Sequence, residues 1–225
     1  DLLESVMNLT ITTADDGRRE ALEQYVHQLF AKQYGADVRH FLPWLLGVQG
    51  QDGVLQGVLG INAAADGPLF LEQYLEESIE SAVAAATGSS VAREGVVEVG
   101  NLAAHSSGGA RLLIVMLTAF LRGAEYQWVT FTALPSLINS FQRLGIPLYP
   151  LVDADPERLQ GGDSSWGSYY SAQPKVVAGH VGEGFKALER ASVAERLQAA
   201  IIWGEAYSSG CELRETQLCS HSLRG

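Results

Sequence analysis

Residues 96–116 read VVEVGNLAAHSSGGARLLIVM. Three valines, Val96, Val97 and Val99, surround one carboxylate, Glu98, and small residues follow. A Ser/Gly loop comes next, and Arg111 opens a dense apolar run. The pattern predicts a strand over 95–104 and a helix over 109–123, with Arg122 and Gly123 as a basic last turn and a glycine stop. Small residues at a helix start let backbone N–H groups approach an anion, and the helix dipole adds to the attraction. Such loops also join strands to helices where no ligand binds, so this one is not decisive alone. Glu98 has two readings as well. It is a carboxylate with a raised pKa that moves protons, or one that is hydrogen-bonded in the sheet or turned to water.

Outward from this stretch, LTIT (9–12) alternates as a strand does, and Leu22, Tyr25, Val26, Leu29 and Phe30 fall at helical spacing before Gly35. WLLGVQ (44–49) and VLQGVLGINAA (54–64) flank GQDG, a hairpin signal. Residues 69–88 read as a short extended piece and a helix ending near Gly88. QWVTFTA (127–133) is a strand, and 134–145 a helix with Pro135 in its first turn. IPLYPL (146–151) is extended, and 184–204 forms a late helix. An antiparallel hairpin followed by βαβ units implies α/β architecture: a mixed, mostly antiparallel central sheet with helices on both faces. Residues 1–203 are expected to form one domain, and 204–225 a polar, mobile tail. The irregular segment 152–175, with Trp166, Tyr169 and Tyr170, reads either as a functional loop or as a flap packed over the core, the aromatics favouring packing.

The chain has 225 residues and 47% hydrophobic content, enough for a sizeable core. Its formal net charge of -11 disfavours a nucleic-acid partner. The run Leu112–Leu121 is too short for a stable membrane span. DLLESVMNLTITT shows no basic n-region of a signal peptide, so the cytoplasm is the expected compartment. Cys211, Cys219 and His221 lie in the polar tail, and no metal site is expected from them.

The strand order and the glycine loop resemble the GNAT-type N-acyltransferase fold. The phosphate loop of that superfamily reads Arg or Gln, two residues, Gly, one residue, Gly or Ala. HSSGGA places His105, Gly108 and Ala110 at those positions, with His in place of Arg or Gln. SFQRLGI occupies the place of the superfamily's FYEKLGF-like segment, with Leu144 and Gly145 matching and Phe141 where an aromatic proton donor, often Tyr, stands. FLPWLLGV, PLFLEQYLEESIE, VVEVGNLA, WVTFTA, RLGIPLYPL and WGSYYSAQPKVVAGHVGEGFKAL together are similar to the thermostable hemolysin family from about Leu9 to Leu188. That resemblance implies kinship with acyl-homoserine-lactone synthases. Their W-E-x-S-R-[FL]-[AC] motif falls on VEVGNLA, so Glu98 matches the acid and Asn101 replaces Arg.

The implied reaction carries an acyl group from a phosphopantetheine thioester, either acyl-CoA or an acyl carrier protein, to the amine of a small acceptor, with no metal. Chemistry then assigns candidates. Glu98 would accept a proton from the acceptor ammonium. Asn101 and the backbone near Leu102 would polarise the thioester carbonyl. The pantetheine arm would lie along Leu102, Ala103 and Ala104, and its phosphate on His105, Ser106, Ser107, Gly108, Gly109, Ala110 and Arg111. Glu72 is a second candidate base, although a carboxylate at a helix start is favourable anyway. Tyr74, Phe70, Phe131 and Phe141 would line the substrate site. An acidic carrier protein would need a basic patch, for which Arg93, Arg111, Arg143 and Lys175 are available. The competing readings are a membrane-active hemolysin-type toxin and a catalytically degenerate binding subunit of the same fold.

Overall fold

The computed structural model describes residues 7–196 and 199–222, without the side chains at 195 and 218–222. The calls on Cys219 and His221 concern side chains and therefore lie outside what is described. Seven strands form one sheet in the order β1-β2-β3-β4-β5-β7-β6. They are β1 (Asn8–Thr12), β2 (Trp44–Gln49), β3 (Leu55–Ala63), β4 (Val96–Ala104), β5 (Trp128–Ala133), β6 (Tyr149–Asp153) and β7 (Lys175–His180). Every neighbouring pair is antiparallel except β4 and β5. This is the mixed, mostly antiparallel sheet that the hairpin and the βαβ spacing predict.

Strand alternation sends successive side chains to opposite faces. Val97, Val99, Val129, Phe131 and Val177 meet α3 (Ser107–Gly123), α4 (Pro135–Arg143), α5 (Val181–Arg190) and α7 (Ala200–Ser222). On the other face, Val96, Trp128, Val176 and Ala178 meet α2 (Ile79–Thr87) and a 3-10 turn, Phe70–Tyr74. Further along that face, Leu45, Val58 and Ala103 pack on α1 (Arg19–Tyr34). Glu98, register partner of Asn62 and Thr130, thus belongs to the α1/α2 face.

Two irregularities shape the middle of the sheet. The β3–β4 ladder runs Gly60↔Gly100 and then Val58↔Ala103, so β4 carries one extra residue, a β-bulge. Asn101 lies in it with φ 50, a left-handed conformation that Asn tolerates better than most residues. The parallel β4–β5 ladder ends at Val99↔Phe131. Beyond that point β4 pairs only with β3 up to Ala104, and β5 only with β7 up to Ala133. The two strands open like a V from Val99 and Phe131.

The structure departs from the sequence expectations at the C-terminal end. KVVAGH, not read as a strand, is β7, inserted between β5 and β6. The late helix predicted over 184–204 is broken. α5 ends at Arg190, Ser192 takes φ 46, and α6 (Val193–Arg196) and α7 follow. The segment expected as a polar tail is instead helical to Ser222 and packs on α3. Gly123 is not the helix stop either: α3 includes it, and its cap is Ala124. A Cβ on Gly123 would lie 2.1 Å from the carbonyl oxygen of Tyr207 in α7. A Cβ on Gly210 would lie 2.1 Å from that of Phe120. The two glycines let two helices touch backbone to backbone.

Gly123→Ala and Gly210→Ala should each destabilise the protein by about 1–3 kcal/mol, because the helices must separate. Gly204→Ala, in the same helix but with open space at its Cβ, should stabilise it by about 0.5–1 kcal/mol through helix propensity. Urea denaturation of the three variants measures the contrast.

Candidate active site

Glu98 is 3% exposed. Its carboxylate accepts two backbone hydrogen bonds, from Phe70 N–H to Oε2 and from Leu71 N–H to Oε1, both 2.9 Å. These donors begin the 3-10 turn Phe70–Tyr74, whose first N–H groups have no partner within the turn. Burial raises the Glu98 pKa to about 7, and the nearby Glu72 charge adds to the rise. The two N–H groups and the Asn62 amide on β3 pull the other way and do not prevail. Glu98 therefore changes charge near neutrality. It is also the tie between β4 and the 70–74 turn.

Glu72 is a different kind of carboxylate. Arg93 meets it with two nitrogens, at 2.6 and 3.0 Å, and the N–H groups of Leu69 and Ile79 donate to it at 2.9 Å each. Arg93 also holds Glu80 at 2.9 Å and the carbonyls of Ala64 and Gly67. The Arg93 guanidinium drives the Glu72 pKa down to about 2. Such a group is ionised at any working pH and has little basicity, so the structure corrects Glu72 from candidate base to structural anchor. Arg93, committed to two carboxylates and two carbonyls, likewise leaves the proposed basic patch. Lys175 pairs with Asp153 at 2.7 Å.

Tyr74 is buried, and its hydroxyl hydrogen-bonds that of Tyr170. Burial pushes its pKa far up, so it stays neutral. Phe70 is exposed and packs on Tyr74 and Trp166. Trp166 and Tyr169 reach across to Phe30 of α1. The backbone fixes this flap, since Ser168 N–H donates to the Tyr34 carbonyl at 2.8 Å and Asp37 N–H to that of Ser165 at 2.7 Å. The 152–175 segment is thus an aromatic cover between α1 and the 70–74 turn.

Asn101 uses its amide on the loop between α1 and β2. Its Oδ1 accepts from Leu42 N–H at 2.9 Å, and its Nδ2 donates to the His40 carbonyl at 3.1 Å. With both ends engaged, Asn101 fixes a loop, and the carbonyl-polarising role assigned from its chemistry does not fit this geometry. Leu102 and Ala104 are half-buried beside the V, while Ala103 is buried against α1. His105 packs edge-on against Tyr25 of α1, with ring centroids 5.1 Å apart. Ser106 caps α3: its Oγ accepts from Gly109 N–H at 3.1 Å. Ser107 and Gly108 then open the helix, exposed, and Arg111 lies half-buried one turn in. Gly109 is required by packing, because a Cβ there would sit 2.9 Å from the Gln56 carbonyl of β3.

Phe131 and Phe141 stack at 5.0 Å beneath the closed end of the V. They belong to the α3/α4 face, opposite Glu98, Phe70 and Tyr74. The candidate residues thus divide between two faces, and the V is the passage between them. An apolar cavity lined by Leu117, Thr118, Phe141 and His180 also lies on the α3 side. Asn62 escaped the sequence reading. It left a signal, a lone amide in an apolar strand, but its pairing with Glu98 needs the register.

This sheet, with its bulged β4 and the V between its two parallel strands, is a fold shared with solved acyl-homoserine lactone and N-acyl amino acid synthases. The chain belongs to the thermostable hemolysin family, whose sequence profile matches residues 12–185. No curated protein matches it in sequence. Solved structures share the fold at low identity. A CoA-dependent acyl-homoserine lactone synthase, BjaI, solved with SAM and isopentyl-CoA, superposes with a TM-score of 0.57 at 12% identity over 85% of this chain and 90% of its own. FeeM, an N-acyl amino acid synthase from uncultured soil microbes, gives 0.55 at 17% identity over 82% and 95%. TofI, in a ternary complex with an inhibitor and MTA, gives 0.56 at 13% identity over 81% and 96%.

The two carboxylates should leave opposite marks on stability. Glu98 has a raised folded pKa, so between about pH 4.5 and 7 the native state holds a proton that the unfolded chain releases. Stability falls across that window, by on the order of 3 kcal/mol. Glu72 has a lowered folded pKa, so its contribution is complete above about pH 4.5 and is lost as pH falls towards 2. Urea unfolding against pH should show the pH 4.5–7 decline flattened in Glu98→Gln and retained in Glu72→Gln.

Proposed function

We propose that the protein is an N-acyltransferase that moves an acyl group, fatty in our reading, from a phosphopantetheine thioester to the amine of a small acceptor such as an amino acid or derivative. One observation carries this reading: a carboxylate that titrates near pH 7 lies beside the closed end of the V between β4 and β5. The edge of β4 beyond Val99 has no strand beside it on the β5 side, so an extended pantetheine arm could pair with its backbone as a strand would. At the open end, the exposed start of α3 at Ser107 and Gly108, with Arg111 one turn in, suits the donor's phosphates. The structural neighbours support the same class of reaction. BjaI is described as CoA-dependent and FeeM as an N-acyl amino acid synthase.

The chemistry follows from the groups present. An amine is nucleophilic only when neutral. Ionised Glu98 takes the ammonium proton, directly or through water, and its pKa near 7 matches that task. The amine nitrogen bonds to the thioester carbonyl carbon, and the oxyanion is met by backbone N–H on the β4 edge. The nitrogen of the adduct gives up its second proton to water, and collapse breaks the carbon–sulfur bond, leaving an amide and a thiolate. Phe141, stacked and buried, has no proton to give the thiolate. The proton held by Glu98 balances the reaction when it passes to the thiolate or to water.

Acyl-CoA and acyl carrier protein both remain as donors. The carrier-protein surface is reduced, since Arg93 and Lys175 are already paired. Either donor implies a cytoplasmic site of action. No helix among the described residues is long and apolar enough to cross a membrane.

Incubation with acyl-CoA and acyl-carrier-protein panels and amino-acid amines should release free thiol and yield N-acyl product by mass spectrometry. Activity should rise with pH through about 7. Glu98→Gln should lower kcat by about 10²-fold or more. Full activity in Glu98→Gln, or no thiol release from any thioester, would sink the reading.

A further inference from the structure

The residues beside Glu98 are unusual for a sheet interior. Gly60 on β3 faces Gly100 on β4, one alternation along from the Asn62–Glu98 pair. Residues i and i+2 share a face about 7 Å apart, so two empty positions adjoin the buried acid on its own face. They are empty because Leu42 rests on them. A Cβ on Gly60 would lie 2.9 Å from the Leu42 Cβ and 2.9 Å from Asn101 Oδ1, and one on Gly100 would lie 3.1 Å from Leu42 Cδ1.

Leu42 is held there by its backbone. Its N–H donates to Asn101, and its carbonyl accepts from Arg19 Nη2 at 2.8 Å. Arg19 Nη1 donates to the Pro43 carbonyl at 2.8 Å, and Asn101 donates to that of His40. A nearly buried arginine, whose Nε also pairs with Glu23 at 2.7 Å, and a left-handed asparagine therefore both hold this loop. The Leu42 side chain remains half-buried, resting on the glycine floor.

We propose that Leu42 and its Gly60–Gly100 floor form the acceptor subsite and that Leu42 sets the size of amine that can reach Glu98. The inference rests on the acyltransferase reading. The ligand class is a small primary amine whose compact apolar body lies against Leu42, with its nitrogen at the carboxylate. Asn101 and Arg19 are positioning residues that act through this loop. Because both grip main-chain atoms, changing the Leu42 side chain leaves the latch intact.

The test compares wild type, Leu42→Ala and Leu42→Phe with whichever thioester the wild-type protein turns over. The acceptors are amino-acid amides graded from glycinamide to phenylalaninamide. Leu42→Ala should shift the ratio of kcat/KM for bulky over small acceptors upward by about tenfold, a step of the size a few methylenes give in a pocket. Leu42→Phe should shift it the opposite way, and the KM for the thioester should stay put in both. A ratio that moves less than about twofold in both variants, with wild-type melting temperatures retained, would overturn the inference. So would an equal loss on every acceptor, which marks a purely structural leucine. An inactive wild-type protein would strike the acyltransferase reading itself, and this inference with it.

Discussion

The parallel ladder between β4 and β5 stops at Val99 and Phe131, and much of the site follows from that stop. A continuous ladder would close the sheet and leave Glu98 as one more acid tied into a strand. The bulge at Asn101 lies just beyond the last pair and increases the local twist of β4. The strand still reaches α3 through Ser106, so its far end is anchored while its β5 edge is open. Two stacked phenylalanines close the V from below, and the Phe70–Tyr74 turn lies over Glu98 on the other face.

Glu98 shows how two opposing effects are settled by magnitude. Two charge-assisted hydrogen bonds from backbone N–H groups would ordinarily pull a carboxylate below its usual pKa. Here desolvation is larger, and the group ends near 7. Glu72, a few ångströms along the same turn, has comparable backbone donors but also a guanidinium, and it goes to about 2. The Arg93 guanidinium and the shallower burial of Glu72 together separate an acid that can exchange a proton near neutrality from one that cannot. The Glu72 charge also helps keep the Glu98 proton in place, since like charges disfavour a second ionisation nearby.

The strand–loop–helix core was legible because its signals are local. Alternation, a glycine loop and an apolar run fix β4 and α3 without reference to distant residues. The same local signals gave most of the element order, and the family motifs added the kinship implied by the spacing from β4 to SFQRLGI. What was not legible depends on pairing. KVVAGH has only two β-branched residues followed by Ala and Gly, and becomes a strand because β5 and β6 flank it on both sides. Gly123 reads as a helix stop from sequence, whereas the backbone of a helix more than eighty residues away demands it. Phe131 and Glu98 look like members of one site along the chain. The register puts them on opposite faces, and only the V rejoins them. Glu72 looked like a spare carboxylate because Arg93, twenty-one residues on, is invisible to local pattern.

The family name invites a membrane mechanism, and the packing bears on its cost. α3 carries the long apolar run Leu112–Leu121, but it has 17 residues, short of the about 20 that span a bilayer. It is covered by the sheet on one side and by α7 and α5 on the other. Extracting it would first expose Leu112, Leu113, Ile114, Val115, Met116, Leu117, Phe120 and Leu121 from the core. At about 2 kcal/mol per large side chain the cost is roughly 15 kcal/mol, comparable with the whole stability of a domain. The longer α7 carries Glu205, Glu212, Arg214 and Glu215, a poor face for lipid. A pore built from these helices would need the fold to come apart first. An enzyme whose product is an acylated amine needs no such step: joining a fatty chain to a polar head makes an amphiphile, and amphiphiles lyse membranes on their own.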